Sequence, residues 1–156
     1  MHEAGREDPA EAVRELLERV VEALGLDATV EVEDDGEICT GTLHGEDLGL
    51  FIGRQGQTID AVQHLARRVA GARAREGGKI VIDAEGYRER REGMLQRQAD
   101  EAVEGALRGG RPVALDAMGA GERRLVHEYL RDRREVQTYS EGDEPNRHLV
   151  VAPLGE

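Results

Sequence analysis

The chain has 156 residues with a formal net charge of −12, enough for one ordinary domain or two small ones. No run of about 18 apolar residues occurs, so no membrane-spanning helix is expected, and the acidic, polar first eight residues lead to the expectation of no signal peptide. A single cysteine, Cys39, excludes an internal disulfide and suits a reducing cytoplasm; its strand-like setting makes it a small packing residue rather than a nucleophile.

The charge is unevenly spread. Residues 1–50 carry a net −12, residues 51–134 a net +4 and the last 22 residues a net −4. Phosphate affinity follows local cations rather than the whole-chain sum, so a basic middle between acidic flanks leaves a nucleic-acid partner open. Lys79 is the only lysine among 21 basic residues. Arginine offers a planar fork that pairs with phosphate and stacks on bases.

Taken in order, Asp8-Pro9-Ala10-Glu11 is a helix start, with an aspartate cap and proline at the first position. Val13, Leu16, Leu17, Val20, Val21 and Leu24 then form one apolar stripe, ended by Gly25. Residues 29–33 alternate like a half-buried strand, and Asp34-Asp35-Gly36 turns them into a second strand over 37–43. A short apolar helix, Leu50-Phe51-Ile52, leads into Gly53-Arg54-Gln55-Gly56. Behind that turn Ile59, Val62, Ala66 and Val69 recur at helical spacing. Gly77-Gly78 breaks the chain before a third strand over 79–83. A long polar helix over 87–107 follows Gly86, with no proline- or serine-rich linker between the halves. A strand over 112–116, a helix over 121–131 and strands over 136–140 and 148–152 complete the pattern.

Two stretches carry the chemistry. In residues 53–56, two glycines three apart permit a tight turn and leave no Cβ to hinder an approaching backbone. The helix behind the turn begins with unpartnered, partly positive amides. Such a corner offers phosphate bare amides and the Arg54 guanidinium. The other stretch is Arg123-Arg124-Leu125-Val126-His127, which sets Arg123 and His127 four apart on one helix face. There they can hold a phosphate by charge-assisted bonds or stack on an unpaired base.

Ile52-Gly53-Arg54-Gln55-Gly56-Gln57-Thr58-Ile59, framed by these elements, resembles the signature of the K-homology (KH) domain, whose Gly-x-x-Gly loop clamps about four nucleotides. The spacing of Arg123 and His127 resembles the R-three-H domain, as do Met118, Glu122 and the tail over 138–148. The ordered pair resembles the bacterial Jag family. That resemblance implies an α+β protein. A type II KH domain over 8–85, a three-stranded sheet with helices on one face, would be followed by a small α+β R-three-H domain over 86–156. There are departures. The clamp has one cation where many relatives have two, and Gly119-Ala120-Gly121 replaces an asparagine–proline lead-in, which is expected to loosen the start of that helix. Roles tied to the further N-terminal domain that many relatives carry are not transferred.

The resemblance implies a cytoplasmic binder of single-stranded RNA, with single-stranded DNA a second candidate. It also implies a small KH-only protein as heterodimer partner and a role in RNA regulation tied to elongation and division. The expected contacts are Gly53, Arg54, Gln55 and Gly56 on phosphates, Ile52, Ile59 and Val62 as an apolar groove for bases, Arg67 and Arg68 as added charge, and Arg123, Arg124 and His127 as a second contact. Catalysis, cofactor and metal are not expected. His127-Glu128 lacks a second histidine, His44, His64 and His148 have no ligand-like spacing, and there is no phosphate-binding lysine loop. The rival reading is a protein-interaction scaffold whose acidic first helix docks a basic partner.

Overall fold

A computed structural model describes residues 8–155; the first seven residues and Glu156 lie outside the described residues. The chain forms two compact units, one ending at Arg88 and the other beginning at Glu89.

In the first unit, helix α1 (Pro9–Leu24) starts as its sequence dictates: the Asp8 carboxylate accepts the Ala10 amide at 3.1 Å, and Pro9 occupies the first turn. Gly25, left-handed at φ 66, ends it, with Leu26 N–H donating back to the Val21 carbonyl at 3.0 Å. Strands β1 (Thr29–Asp34) and β2 (Ile38–His44) form an antiparallel hairpin. At the turn between them, the Asp35 carboxylate accepts the Glu37 and Ile38 amides at 2.8 and 2.7 Å. Those two bonds hold its pKa below the usual carboxylate range. Helix α2 (Gly49–Ile52), a 3-10 turn (Arg54–Gly56), helix α3 (Gln57–Val69) and a one-turn helix α4 (Ala72–Arg75) follow. Strand β3 (Lys79–Ala84) pairs parallel to β2. The sheet order is β1-β2-β3, and α1 and α3 pack on one side of it.

The core of this unit joins Val13 and Leu17 of α1, Phe51 of α2, Ile59, Val62 and Ala66 of α3, and Leu43, Ile80 and Ile82 of the sheet. Leu24, the last member of the predicted α1 stripe, is 36% exposed. Cys39 lies fully buried, and burial pushes its thiol pKa up, as expected of a packing residue rather than a nucleophile. Gly41 brings α1 close to the sheet. A Cβ there would stand 2.6 Å from Leu17 Cδ1, 3.1 Å from Val13 Cγ1 and 3.2 Å from Ile82 Cδ1.

In the second unit, helix α5 (Tyr87–Gly109, whose first two residues belong to the first unit) and helix α6 (Ala120–Leu130) accompany strands β4 (Val113–Ala114), β5 (Val136–Glu141) and β6 (His148–Pro153). The sheet runs β4-β6-β5, antiparallel throughout. Leu95, Ala99, Val103, Val126, Leu130, Leu149 and Val151 fill its core. The strand predicted over 112–116 shrinks to two paired residues. Beyond them the ladder gives way to two separate bonds, Leu115 N–H to the Leu149 carbonyl at 2.9 Å and Met118 N–H to the Arg147 carbonyl at 3.2 Å. Among the described residues no helix is long and apolar enough to cross a membrane.

Gly41→Ala overpacks the contact between α1 and the sheet. It is expected to lower stability by roughly 1–3 kcal/mol in chemical denaturation while the helical circular-dichroism signal of the folded protein is retained.

Candidate nucleic-acid interface

The Gly-x-x-Gly corner depends on backbone conformations that side chains resist. Gly53 sits at φ 74, ψ 175, a region essentially reserved for glycine. A Cβ there would lie 2.2 Å from Thr58 Oγ1 and 2.9 Å from the Thr58 amide nitrogen. Gly56 is also left-handed, at φ 77, and a Cβ on it would meet the Tyr87 hydroxyl at 2.5 Å. Tyr87, the first residue of α5, therefore lies against the loop. Between the glycines Gln55 is left-handed at φ 57, ψ 23, a state costing a non-glycine residue about 1 kcal/mol or more.

This geometry divides the loop amides into two sets. Gly53 N–H donates to the Gly49 carbonyl at 2.8 Å, Gly56 N–H donates to the Gly53 carbonyl at 3.2 Å, and Gln57 N–H donates to the Arg54 carbonyl. Among the described residues, nothing accepts from the amides of Arg54 and Gln55. The expectation that all four loop amides are bare is therefore corrected. The carbonyl at the start of α2 reaches Gly53, the 3-10 turn closes on Gly56, and two neighbouring amides remain. Arg54 is exposed above them, and α3 starts without a side-chain cap; the one carboxylate of its first turn, Asp60, is paired with Arg88.

The predicted apolar groove changes as well. Ile59 is fully buried and Val62 is 5% exposed, both inside the core, so neither wall is open to a base. Their helical spacing marks the face that packs on the sheet. Ile52 is half-buried and packs at the edge of that core. Arg67 and Arg68 are both exposed, in the last turn of α3.

On α6, the pair expected on one outer face divides. Arg123 is 8% exposed, and its Nη1 donates to the Met118 carbonyl at 2.7 Å and to Glu144 Oε1 at 3.0 Å. Three and seven residues further on, Val126 and Leu130 are buried, so Arg123 shares the inward side of the helix. It pins the segment before α6 to the loop between β5 and β6, so its guanidinium is engaged by the protein, although Arg123 also borders the concavity beside His127. Arg124 and His127 do face outward. Arg124 donates to Glu128 at 3.1 Å across one turn, and His127 Nδ1 meets the Thr138 hydroxyl. Beside them a shallow concavity of about 370 Å³ is also lined by Tyr139, Ser140 and Arg147. Tyr139 is 43% exposed, a ring available for stacking that residue spacing did not single out. The Gly119 position caps α6 without a side-chain acceptor, consistent with the loss of the asparagine–proline lead-in.

Fold and corner together define the class: a type II KH domain followed by an R-three-H domain. A family model described as the KhpA/KhpB KH domain matches residues 10–83, and one described as the R-three-H domain matches residues 93–153. Relatives named "RNA-binding protein KhpB" are similar along most of the chain. The one from Clostridium symbiosum is 34% identical over 140 residues, 88% of this chain and 63% of its own length. The one from Lactiplantibacillus plantarum is 35% identical over 150 residues, 96% of this chain and 47% of its own. The one from Bacillus subtilis is 28% identical over 147 residues, 93% of this chain and 71% of its own. The chain belongs to this KhpB (Jag) family, and it spans about half to two thirds of the length of the first two relatives.

The division on α6 is tested by thermal unfolding. Arg123→Ala strands a buried carbonyl and is expected to cost on the order of 1–3 kcal/mol. Arg124→Ala and His127→Ala should leave the melting temperature within a degree or two, as exposed positions do.

Proposed function

We propose that this chain binds single-stranded RNA and catalyses no reaction on it. The observation that carries the reading is the pair of unengaged amides at Arg54 and Gln55, on a turn whose glycine conformations and bulk-free approach suit a sugar-phosphate backbone. Arg54 supplies a charge-assisted bond to the same phosphates. Ile52 and the exposed Leu50 supply the apolar edge beside them, since Ile59 and Val62 are enclosed. Arg124, His127, Tyr139 and Arg147 form the second contact. With three tyrosines, one phenylalanine and no tryptophan in the chain, stacking rests on few rings and on arginine planes.

The names of the KhpB relatives support RNA as the ligand. The proposal extends, on family resemblance, to a cytoplasmic location, a heterodimer with a small KH-only protein and RNA regulation linked to elongation and division. A second reading, a protein-interaction scaffold, is favoured by one feature. Leu24 and Leu50 flank a concavity of about 710 Å³ that Asp27, Glu46 and Asp47 also line, a setting for a basic apolar segment. A partner retained after nuclease treatment and after substitution at both contacts would favour the scaffold.

Titration of a labelled single-stranded RNA at two salt concentrations tests the RNA reading. Arg54→Asp/Gln55→Asp is expected to weaken binding at least about tenfold and to flatten the salt dependence by about 0.7 for each phosphate released. Unchanged affinity and slope would overturn it.

A further inference from the structure

The cations of the first unit fall into two groups. Arg19, Arg73 and Arg88 are paired with Glu15, Asp34 and Asp60, and Arg14 donates to the Val30 carbonyl. The remaining described cations of this unit, Arg54, Arg67, Arg68, Arg75 and Lys79, have no ion pair or side-chain hydrogen bond among the described residues. Here the unpaired ones lie at both ends of α3 and just after it.

At the far end of α3, Arg67, Arg68 and Arg75 join His64, Gly71 and Ala74 around a shallow concavity of about 450 Å³, and no carboxylate lines it. All three arginines are exposed. Between this basin and the clamp, the outer face of α3 presents Gln57, Ala61, His64 and Arg68, a row at successive one-turn steps on the side opposite the buried Ile59, Val62 and Ala66. The single acidic residue of the helix, Asp60, is engaged by Arg88 at 2.5 Å. A polyanion following the helix from the clamp to the basin therefore meets no unpaired carboxylate of α3. From Gly56 to Arg68 the helix rises about 18 Å at 1.5 Å per residue. A strand centred on the loop therefore has to continue past the clamped nucleotides in one direction to reach the basin.

We infer that Arg67, Arg68 and Arg75 form a second phosphodiester-binding site, which extends the RNA footprint from the Gly53–Gly56 clamp along the outer face of α3. The inference rests on the clamp reading and adds to it the length of strand required. The competing explanation for Arg67 and Arg68 is interaction with the negative end of the helix. It makes no demand on ligand length and does not involve Arg75, which lies on α4.

Length dependence separates these cases. Affinities of the full chain are measured for single-stranded RNAs of about 4 and about 12 nucleotides, lengths that bracket one clamp and an extended site. The wild type should bind the longer RNA more tightly, with a steeper salt dependence. Arg67→Gln/Arg68→Gln/Arg75→Gln should weaken the longer RNA about tenfold and flatten its slope by roughly 2, at about 0.7 per phosphate released. Affinity for the shorter RNA should change less than about twofold. The matching triple change to lysine should keep most of the advantage, since phosphate accepts either cation. A glutamine variant that keeps the full advantage of the longer RNA overturns the second site while leaving the clamp intact. Loss of binding to both lengths only in Arg54→Asp/Gln55→Asp likewise overturns the second site and spares the clamp. A wild type that binds neither RNA overturns the clamp reading and this inference together.

Discussion

The conformation of Gly53 is the constraint on which the interface depends. At φ 74, ψ 175 the chain leaves α2 in a direction closed to any residue with a Cβ, and the Thr58 side chain fills the space that a Cβ would need. This reversal lets the 3-10 turn close on itself, so that Gly56 donates back to Gly53. It also moves the Arg54 and Gln55 amides beyond the reach of any acceptor among the described residues. Two bare amides are thus a consequence of chain geometry rather than of any side chain. The left-handed Gln55 marks the strain that the turn carries, and Tyr87 packed against Gly56 holds the loop from behind.

Charge works in the same direction. A chain of net −12 repels polyanions at long range, so binding has to come from cations that are close to phosphate and not already neutralised. Pairing decides which ones qualify. Arg73 grips both oxygens of Asp34, with N–O distances of 3.0 and 2.7 Å, and ties α4 to the hairpin. Arg88 binds Asp60 and Gln63 and caps the edge of β3. Both arginines are consumed by the fold. Arg123 is consumed in the second unit, although it belongs to the pair of residues after which that domain type is named. The acidic surroundings select a small set of free cations and make their action strongly salt-dependent.

Much of this was legible in the sequence for identifiable reasons. The Asp8 cap, the Gly25 stop, the alternating strands and the 3.6-residue period of α3 are local signals, and each maps onto an element within a residue or two. The two glycines marked the corner because only glycine takes those angles. What failed was direction and partnership. Periodicity put Ile59 and Val62 on one face but could not say that the sheet would close over it completely. Four-residue spacing put Arg123 and His127 on neighbouring positions, but the inward turn of Arg123 depends on Val126 and Leu130 behind it and on Glu144, 21 residues away. Helix α4 has four residues and no apolar period to announce it. Which loop amides stay free depends on where α2 ends, and no residue type encodes that.

The most direct test follows the amide signals of Arg54 and Gln55 by nitrogen–proton NMR as single-stranded RNA is added to the folded chain. Both signals are expected to be among the most strongly shifted in the first unit and to exchange more slowly with solvent once phosphate accepts their hydrogens. If those two amides stay unmoved and freely exchanging while RNA is bound and signals elsewhere respond, the corner at Gly53–Gly56 is not the clamp.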